Sequence, residues 1–382
     1  MNLEHLSKDV LTVFERLDDA GVRTAGTTYL MYRGRHRHEV SADTALTRIA
    51  GTIFRHAVWG PKELFYADIF ASRRTPCRSQ LGLPGIRDQH SGCVGEFLVE
   101  NDLFDFLLFS LPDNDTHSHK NGPFAQVDSL AAADRQLERM MEPAGGPEAF
   151  LEDHAVIVCS DHSQSRVEAE IDLFGAFDEL GVLPAARARA DGSKVAVCPN
   201  SRAAQVYVLD RDERRRLVPK ITDSLLGLEG VDLVLTMTDH PDGEASIRGG
   251  RRREVRFAPG GDLEDARGGR WHAEGDLDLL ALKVRDGRLS STTYPDALAR
   301  AWSALRTRTS GEVLASAKPG YEFLDWGGAH HVGGGSHGSL HANDSLGSLI
   351  WCGTGPDSAD ERDQWALRDI VPMVLEHFGA AT

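Results

Sequence analysis

Two short segments that are apolar along most of their length constrain the fold of this 382-residue chain. They are FDFLLFS, residues 104–110, and AVIVCS, residues 155–160. Continuous rather than alternating apolar residues are typical of strands in a parallel sheet that helices cover on both faces. Acidic and histidine residues follow both segments directly. Because ligands bind beyond the carboxyl ends of the strands in such sheets, the sequence predicts an α/β fold with a polar site at one sheet edge.

Helical patterns surround these two strands. Apolar residues at helical spacing, with turn residues at the ends, predict helices at residues 6–21, 126–141, 165–184, 294–306 and 365–378. Ser7 is expected to cap the first of them. The second is expected to present Val127, Leu130, Leu137 and Met141 on one apolar face. Helices and strands interleaved in this way support the α/β class.

The pattern of the sequence changes from mixed helices and strands to short strand-like segments between about residues 190 and 290. Short β-like segments such as VAVC, AQVYVLD and VDLVLTMT alternate there with glycine-rich turns. We therefore expect a three-layer α/β/α sandwich with a largely parallel sheet and an inserted small β-rich subdomain. The catalytic core would comprise residues 1–190 and 291–382, and the insertion residues 191–290.

Charge and cysteine content exclude several classes of protein. The net charge is −16 and no basic run is present, so we expect no nucleic-acid polymer as a partner. No apolar run is long enough to span a membrane. The five cysteines form no C-x-x-C pair. Cys77 and Cys93 flank one loop and could pair, but we expect reduced cysteines in a cytoplasmic protein.

Three separated segments each combine aspartate with histidine. They are DNDTHSH (113–119), SDH (160–162) and GGGSHGSLHANDS (333–345). Carboxylate and imidazole are the donors that Zn²⁺ or Mn²⁺ accepts without any sulfur ligand. A solvated polar loop and a turn at a strand end are the alternatives for the first two segments. We favour metal ligation because all three segments share the same composition.

The three motifs, in this order, resemble the type I phosphodiesterase/nucleotide pyrophosphatase branch of the alkaline phosphatase superfamily. The similarity extends over roughly residues 8–380. It implies that Asp115 and His119 of a D-x-x-x-H-x-x-G-P segment bind one metal together with His337 of a G-x-H-G segment. It implies that Asp161 and His162 bind a second metal. Ser163 departs from the family pattern, which has glycine after that histidine.

The resemblance implies a two-metal phosphohydrolase, most simply a phosphodiesterase acting by in-line attack on a small phosphoester. Two divalent ions are the expected cofactors, zinc ahead of manganese. The family's Thr or Ser nucleophile and a further Asp ligand precede the segment that resembles VLTVFERLDDAGVRTA, residues 10–25. We therefore expect this chain to lack both, and Asp43 and Thr44 are not credible substitutes. A secretory signal could have been lost with them. The alternatives are a non-catalytic metal-binding relative and a phosphomonoesterase or sulfatase of the same superfamily.

Other polar residues near the motifs are weaker candidates. Asp344 is a candidate for orienting a ligand histidine, or for capping a turn. His330, His331 and His341 compete with His337 for the role of ligand, and the Gly-flanked His337 is favoured. The arginines of one loop are candidates for contacting a phosphate, or else form a solvated face: Arg73, Arg74, Arg78 and Arg87.

Overall fold

The computed structural model describes residues 6–29, 33–40, 45–53, 57–184, 192–238, 243–250, 252–327, 330–362 and 364–380. Asp43, Thr44 and His56 lie outside the described residues. The α-helices are α1 Val13–Asp19, α2 Ala45–Ile53, α3 Arg87–Glu100, α4 Asp113–Asn121, α5 Gln126–Met141, α6 Pro147–Asp153, α7 Leu173–Ala176, α8 Arg214–Gly227, α9 Ala297–Arg306, α10 Ala342–Ser345 and α11 Ile370–His377. The strands are β1 Thr24–Thr27, β2 His36–His38, β3 Val58–Gly60, β4 Glu63–Tyr66, β5 Phe70–Ala71, β6 Phe106–Phe109, β7 Val156–Cys159, β8 Ser165–Ile171, β9 Val195–Asn200, β10 Ala203–Val208, β11 Val231–Met237, β12 Ala245–Gly249, β13 Arg253–Glu264, β14 Arg270–Gly275, β15 Lys283–Arg285, β16 Arg288–Ser290, β17 Val313–Ala317, β18 Gly320–Phe323, β19 Gly335–Ser336 and β20 Leu349–Cys352.

A four-stranded sheet in the order β5-β4-β1-β6 has helices on both faces. Strand β1 pairs in parallel with β4 and with β6. In β4, Leu64 packs with Phe14 of α1, whereas the next residue, Phe65, packs with Val94 and Leu98 of α3. Successive side chains of a strand point to opposite faces, so the two helices lie on opposite sides of the sheet. The predicted α/β class is confirmed.

Strand β7 lies beside β6 without pairing with it. Phe106 and Ile157 belong to one apolar cluster, and Leu107 and Val156 to another. Nevertheless the described residues show β6 hydrogen-bonded to β1, and β7 hydrogen-bonded antiparallel to β20. The expectation that β7 lies between parallel neighbours is therefore not met by its observed partner. A continuous apolar run indicates that both faces of a strand are covered. It does not indicate whether the neighbouring strand is parallel or antiparallel.

A larger sheet occupies the second half of the chain. Its order is β15-β16-β13-β12-β11-β17-β10-β9, with β14 paired to β13. Its ladders are antiparallel apart from one parallel contact between β13 and β16. Helix α8 packs on one part of this sheet and α9 on another. The β-like segments predicted after residue 190 are strands. The sheet also includes β17, which lies between β11 and β10 although it follows residue 290 in the sequence. The division into domains stays a prediction.

The helix predicted at residues 165–184 is wrong over its first part. Residues 165–171 form β8, which pairs in parallel with β18 and antiparallel with β19. Val167 and Ile171 are buried while Arg166 and Glu168 are exposed, an alternation that fits a strand. The short helix α7 follows. Pairing with two segments more than a hundred residues away overrides the local helical pattern.

Two other helices differ from expectation in detail. Helix α1 begins at Val13 and is capped by Thr12, whose side chain accepts from the Glu15 N–H, rather than by Ser7. Helix α5 has the predicted bounds, but Val127 is 75% and Leu130 52% exposed. The packed apolar face of α5 is therefore confined to its C-terminal half, where Met140 and Met141 are buried.

Cys77 and Cys93 form a disulfide, with Cα atoms 5.7 Å apart. The expectation that all five cysteines are reduced is therefore wrong for this pair. The chain between them returns Cys77 to the buried cluster that contains Val94 and Leu98 of α3, and this places the two sulfurs together.

The cellular location stays a prediction. The cytoplasmic expectation rested on reduced cysteines, and the disulfide removes part of that basis. Across the described ranges, no α-helix combines the length and the apolar composition needed to cross a membrane.

Candidate metal centre

The first motif is helical rather than a loop. Residues 113–121 form α4, which follows β6 after a short connection. Asp113 and Asp88 hold its N-terminus, because each accepts a hydrogen bond from the main-chain N–H of the other, at 3.1 and 2.9 Å. Residues four apart share one face of a helix. Asp115 and His119 are therefore neighbours, with His119 Nε2 3.3 Å from Asp115 Oδ1.

The structure brings all five predicted ligand side chains into one cluster. Besides His119, two imidazole nitrogens approach Asp115 Oδ1: His162 Nε2 at 3.8 Å and His337 Nε2 at 4.0 Å. The rings of His162 and His337 stack with centroids 3.5 Å apart. Asp161 Oδ1 lies 3.6 Å from His162 Nε2. Asp115 is thus the centre of a group drawn from all three motifs.

Main-chain carbonyls set the orientation of two of the imidazoles. His119 Nδ1 lies 2.8 Å from the carbonyl oxygen of Gly335, and His162 Nδ1 lies 3.2 Å from that of Ser163. A carbonyl oxygen can only accept, so each Nδ1 carries a hydrogen, and Nε2 is the nitrogen that could bind a metal once it is unprotonated. Both Nε2 atoms are on the side of Asp115, and this is how histidine ligands are usually held.

The electrostatics of the cluster favour an ionised Asp115 and a neutral His337, whereas they favour protonation of His119, whose proton a metal would have to displace. Burial together with the neighbouring His162 and His119 lowers the pKa of His337 to about 4. Burial alone would raise the pKa of Asp115, but the His119 hydrogen bond and the surrounding imidazoles keep it below its ordinary value. Burial opposes a proton on His119, yet the Asp115 contact raises the pKa of this histidine. Asp115 is therefore ionised and His337 neutral.

The donor set fits a divalent cation. Ligand atoms of Asp115, His162 and His337 all lie within 4.8 Å of one another. One carboxylate and several imidazoles around a common space form a Zn²⁺-type set. The Asp161 side chain is 80% exposed and lies at the rim. The structure brings the predicted residues together, and their role as ligands stays a prediction.

Two neighbours in the first motif have other partners. Asp113 accepts hydrogen bonds from Gly85 N–H and from Arg87 Nε, at 2.9 and 2.8 Å. His117 Nε2 contacts the carbonyl of Ala125 at 3.0 Å. Both therefore stabilise the ends of α4.

Most of the remaining candidates are also engaged away from the cluster. Asp344 pairs with the buried Arg202 rather than with a histidine, and it accepts from Ser339 N–H at 3.0 Å. The His341 ring accepts from Asn343 N–H, and the exposed His330 lies near Glu170. Three of the loop arginines have protein partners: Arg73 with Glu63, Arg78 with the carbonyls of Thr75 and Cys77, and Arg87 with Asp113.

Gln164 and Glu322 were not predicted as part of the site, whereas His331 was a candidate, and the structure places all three at or next to the cluster. Gln164 Nε2 donates to Asp115 Oδ1 at 2.6 Å. His331 stacks near His119 with ring centroids 4.2 Å apart, and its Nδ1 lies 2.8 Å from the carboxylate of the buried Glu322. Gln164 lies in the same segment as His162, and this closeness was an available signal. No pattern in the sequence indicated that Glu322 would contact His331.

Comparison with known proteins agrees with the motifs. A profile of the family "Type I phosphodiesterase / nucleotide pyrophosphatase" matches residues 86–340. A search of curated protein sequences found no match. Among solved structures, human ectonucleotide pyrophosphatase/phosphodiesterase 5 is 11% identical, over 96% of this chain and 70% of that one, with a TM-score of 0.46. Phosphonoacetate hydrolase from Sinorhizobium meliloti, in complex with phosphonoformate, is 14% identical, over 97% of this chain and 74% of that one, with a TM-score of 0.49.

Proposed function

The chain belongs to the type I phosphodiesterase/nucleotide pyrophosphatase family of the alkaline phosphatase superfamily, and on that premise we propose a metal-dependent phosphohydrolase that cleaves small phosphodiesters. One observation carries the proposal. Asp115 Oδ1 lies within 4.0 Å of imidazole nitrogens from three separate motifs. A solvated loop gives no reason for three imidazoles to gather around one carboxylate. A metal-dependent hydrolase requires a ligand cluster of this kind.

We propose two metal sites, the first from Asp115, His119 and His337 and the second from Asp161 and His162. Zinc is favoured over manganese because three of the five donors are imidazole nitrogens. When bound, the ions would supply Lewis acidity and positive charge for a phosphoester oxygen. That charge explains how a chain with a net charge of −16 would attract an anionic substrate.

The roles of the chain's own groups follow from their contacts. Asp115 supplies negative charge at the centre, and the carbonyls that hold the Nδ1 hydrogens of His119 and His162 leave Nε2 of each ring to bind a metal. With Nε2 occupied by a metal, these histidines would serve as ligands and not as general bases. We further propose that the motif segments contain neither the Thr or Ser nucleophile nor the additional Asp ligand of the family.

The test combines metal content with hydrolysis. Zinc would be measured after chelation, reloading and dialysis, in the native chain, in Asp115→Ala and in the control His272→Ala, a histidine 62% exposed on the β-rich sheet. We expect the native chain and the control to retain zinc and Asp115→Ala to bind at least about 10-fold more weakly. Hydrolysis of bis(p-nitrophenyl) phosphate would be followed with this chain and with one extended upstream of Met1.

Each outcome has a distinct meaning. Zinc in both chains with turnover in the extended one supports a phosphodiesterase whose nucleophile lies upstream. Zinc without turnover in either favours a non-catalytic metal-binding relative. Faster cleavage of p-nitrophenyl phosphate or p-nitrophenyl sulfate than of the diester would favour a phosphomonoesterase or a sulfatase. Absence of zinc from the native chain would overturn the proposal.

A further inference from the structure

The closest polar contact described for the Asp115 carboxylate is with an amide. Gln164 Nε2 lies 2.6 Å from Asp115 Oδ1 and 3.3 Å from the main-chain oxygen of the same residue. The nearest of the three imidazole nitrogens, His119 Nε2, is 3.3 Å from Oδ1. One amide group therefore holds both the side chain and the main chain of Asp115. A carboxylate oxygen has two lone pairs, so this hydrogen bond leaves one for a cation.

The orientation of the Gln164 amide follows from hydrogen-bonding chemistry. With the amide reversed, its Oε1 would face Asp115 Oδ1, and two acceptors would meet. As placed, Oε1 is buried and has no hydrogen-bond partner in the described part of the chain. Gly335 provides the space that Oε1 occupies, since a Cβ at residue 335 would lie 2.7 Å from this oxygen. The site is thus shaped around the amide.

Gln164 stands where the three motifs meet. It follows His162 by two residues, and its amide reaches Asp115. The next residue, Ser165, is paired in the sheet with Ser336, which directly precedes His337. A displacement of Gln164 would therefore be felt by ligands of both proposed metals.

The main chain on both sides of Gln164 is anchored in the interior. Ser165 Oγ donates to the carboxylate of Asp344, which is 2% exposed and is paired with the fully buried Arg202. Ser163 N–H donates to the main-chain oxygen of Asp344 at 3.0 Å. The Gln164 side chain therefore extends toward Asp115 from a rigid base.

We propose that Gln164 is a positioning residue of the metal centre. Its amide keeps Asp115 Oδ1 facing the three imidazoles and joins the segment of His162 to that of Asp115. It contacts the ligand and not the metal, and outer contacts of this kind commonly change metal affinity by about 10- to 100-fold. The inference rests on the proposed function, because it needs Asp115 to bind a metal.

The experiment removes the amide while keeping the volume of the side chain. Gln164→Met would be compared with Gln136→Met, a control on α5 whose glutamine also has a buried, unpartnered Oε1 in the described structure. Zinc affinity would be measured by competition with a chromogenic chelator, and the visible absorption of Co²⁺-loaded protein would report ligand geometry. We expect Gln164→Met to bind zinc about 10- to 100-fold more weakly and to alter the Co²⁺ spectrum. Gln136→Met should match the native chain in both.

Three results would overturn the inference. Native affinity and an unchanged Co²⁺ spectrum in Gln164→Met would remove the positioning role while leaving the proposed function intact. Equal losses in both variants would show a general effect of deleting a buried amide. No zinc in the native chain would remove the proposed function and this inference with it. Urea unfolding of the metal-free variants would show whether Gln164→Met retains the native fold, so a loss of affinity can be assigned to the centre.

Discussion

Asp88 has a buried carboxylate that lies near the carboxylate of Asp113. It is 5% exposed, and it accepts a hydrogen bond from the main-chain N–H of Asp113 at the start of α4, while the Asp113 carboxylate accepts one from the main-chain N–H of Asp88. Burial is the main cause that raises the pKa of Asp88 to about 6, and the Asp113 charge adds to it. In the unfolded chain the same group titrates near its ordinary value of 3.8. The native state therefore binds more protons than the unfolded state between these two pH values.

The sign of the pH dependence follows from this difference. Where the native state binds more protons, stability falls as pH rises, so Asp88 should make the free energy of unfolding decrease from about pH 4 to pH 6 and then level off. Asp88→Asn keeps an oxygen that can accept the Asp113 N–H and removes the charge. We expect it to stabilise the protein by roughly 1–3 kcal/mol at pH 8 and to have little effect near pH 4. Urea unfolding of both proteins at pH 4.5 and pH 8 measures this, and an equal difference at the two pH values would contradict it.

At the scale of elements, α4 carries two proposed ligands and ends at a residue that only glycine suits. Gly122 has φ +88° and ψ 162°, and its N–H donates to Ser118 O at 2.8 Å. A side chain at these angles is strained whatever the surrounding space. The end of α4, and with it the turn toward α5, therefore depends on this glycine.

Gly122→Ala should destabilise the protein by about 1–3 kcal/mol, the usual cost of a non-glycine residue in a sparsely populated backbone region. Gly227→Ala is the matched control, because Gly227 is helical at the end of α8 and a Cβ added there would have no neighbour within 4 Å. The control should be neutral or slightly stabilising, since alanine is the better helix former. Urea unfolding of the two variants compares them directly, and equal destabilisation would refute the backbone argument.

At the scale of the whole molecule, one buried ion pair joins the β-rich sheet to the proposed metal centre. Arg202 directly precedes β10 and is fully buried, and its guanidinium contacts Asp344 and Ser165. Its main-chain N–H donates to the carbonyl of His337 at 2.8 Å. Arg202 thus contacts the segments that carry His162 and His337 from a sheet that supplies no ligand itself.

Removing the cation should leave Asp344 buried without its counter-charge. We expect Arg202→Met to destabilise the protein by about 3–5 kcal/mol, as for other broken buried pairs, and the double variant with Asp344→Leu to recover part of this loss. Arg216→Met breaks the exposed Arg216–Glu213 pair and should leave stability unchanged. Thermal and urea unfolding distinguish these cases, and a double variant less stable than Arg202→Met would contradict the argument.

The sequence by itself determined the α/β class, the positions of four of the eleven α-helices described in the structure, and the five candidate ligands. These properties are local: apolar runs, helical spacing, and Asp with His in short motifs are all written within a few residues. The spacing of Asp115 and His119 is also a local property, because a helix over residues 113–121 is enough to place the two side chains on one face.

Tertiary structure decided what depends on distant partners. Residues 165–171 became a strand because β18 and β19 pair with it, and Cys77 met Cys93 because α3 packs on β4. His119 is oriented by the Gly335 carbonyl, 216 residues away in sequence. Gln164 likewise contacts Asp115, and Asp344 pairs with Arg202, and no local sequence pattern predicts either contact. A contact between remote segments exists only after the chain has packed, so its energy has no signature in the spacing of neighbouring residues.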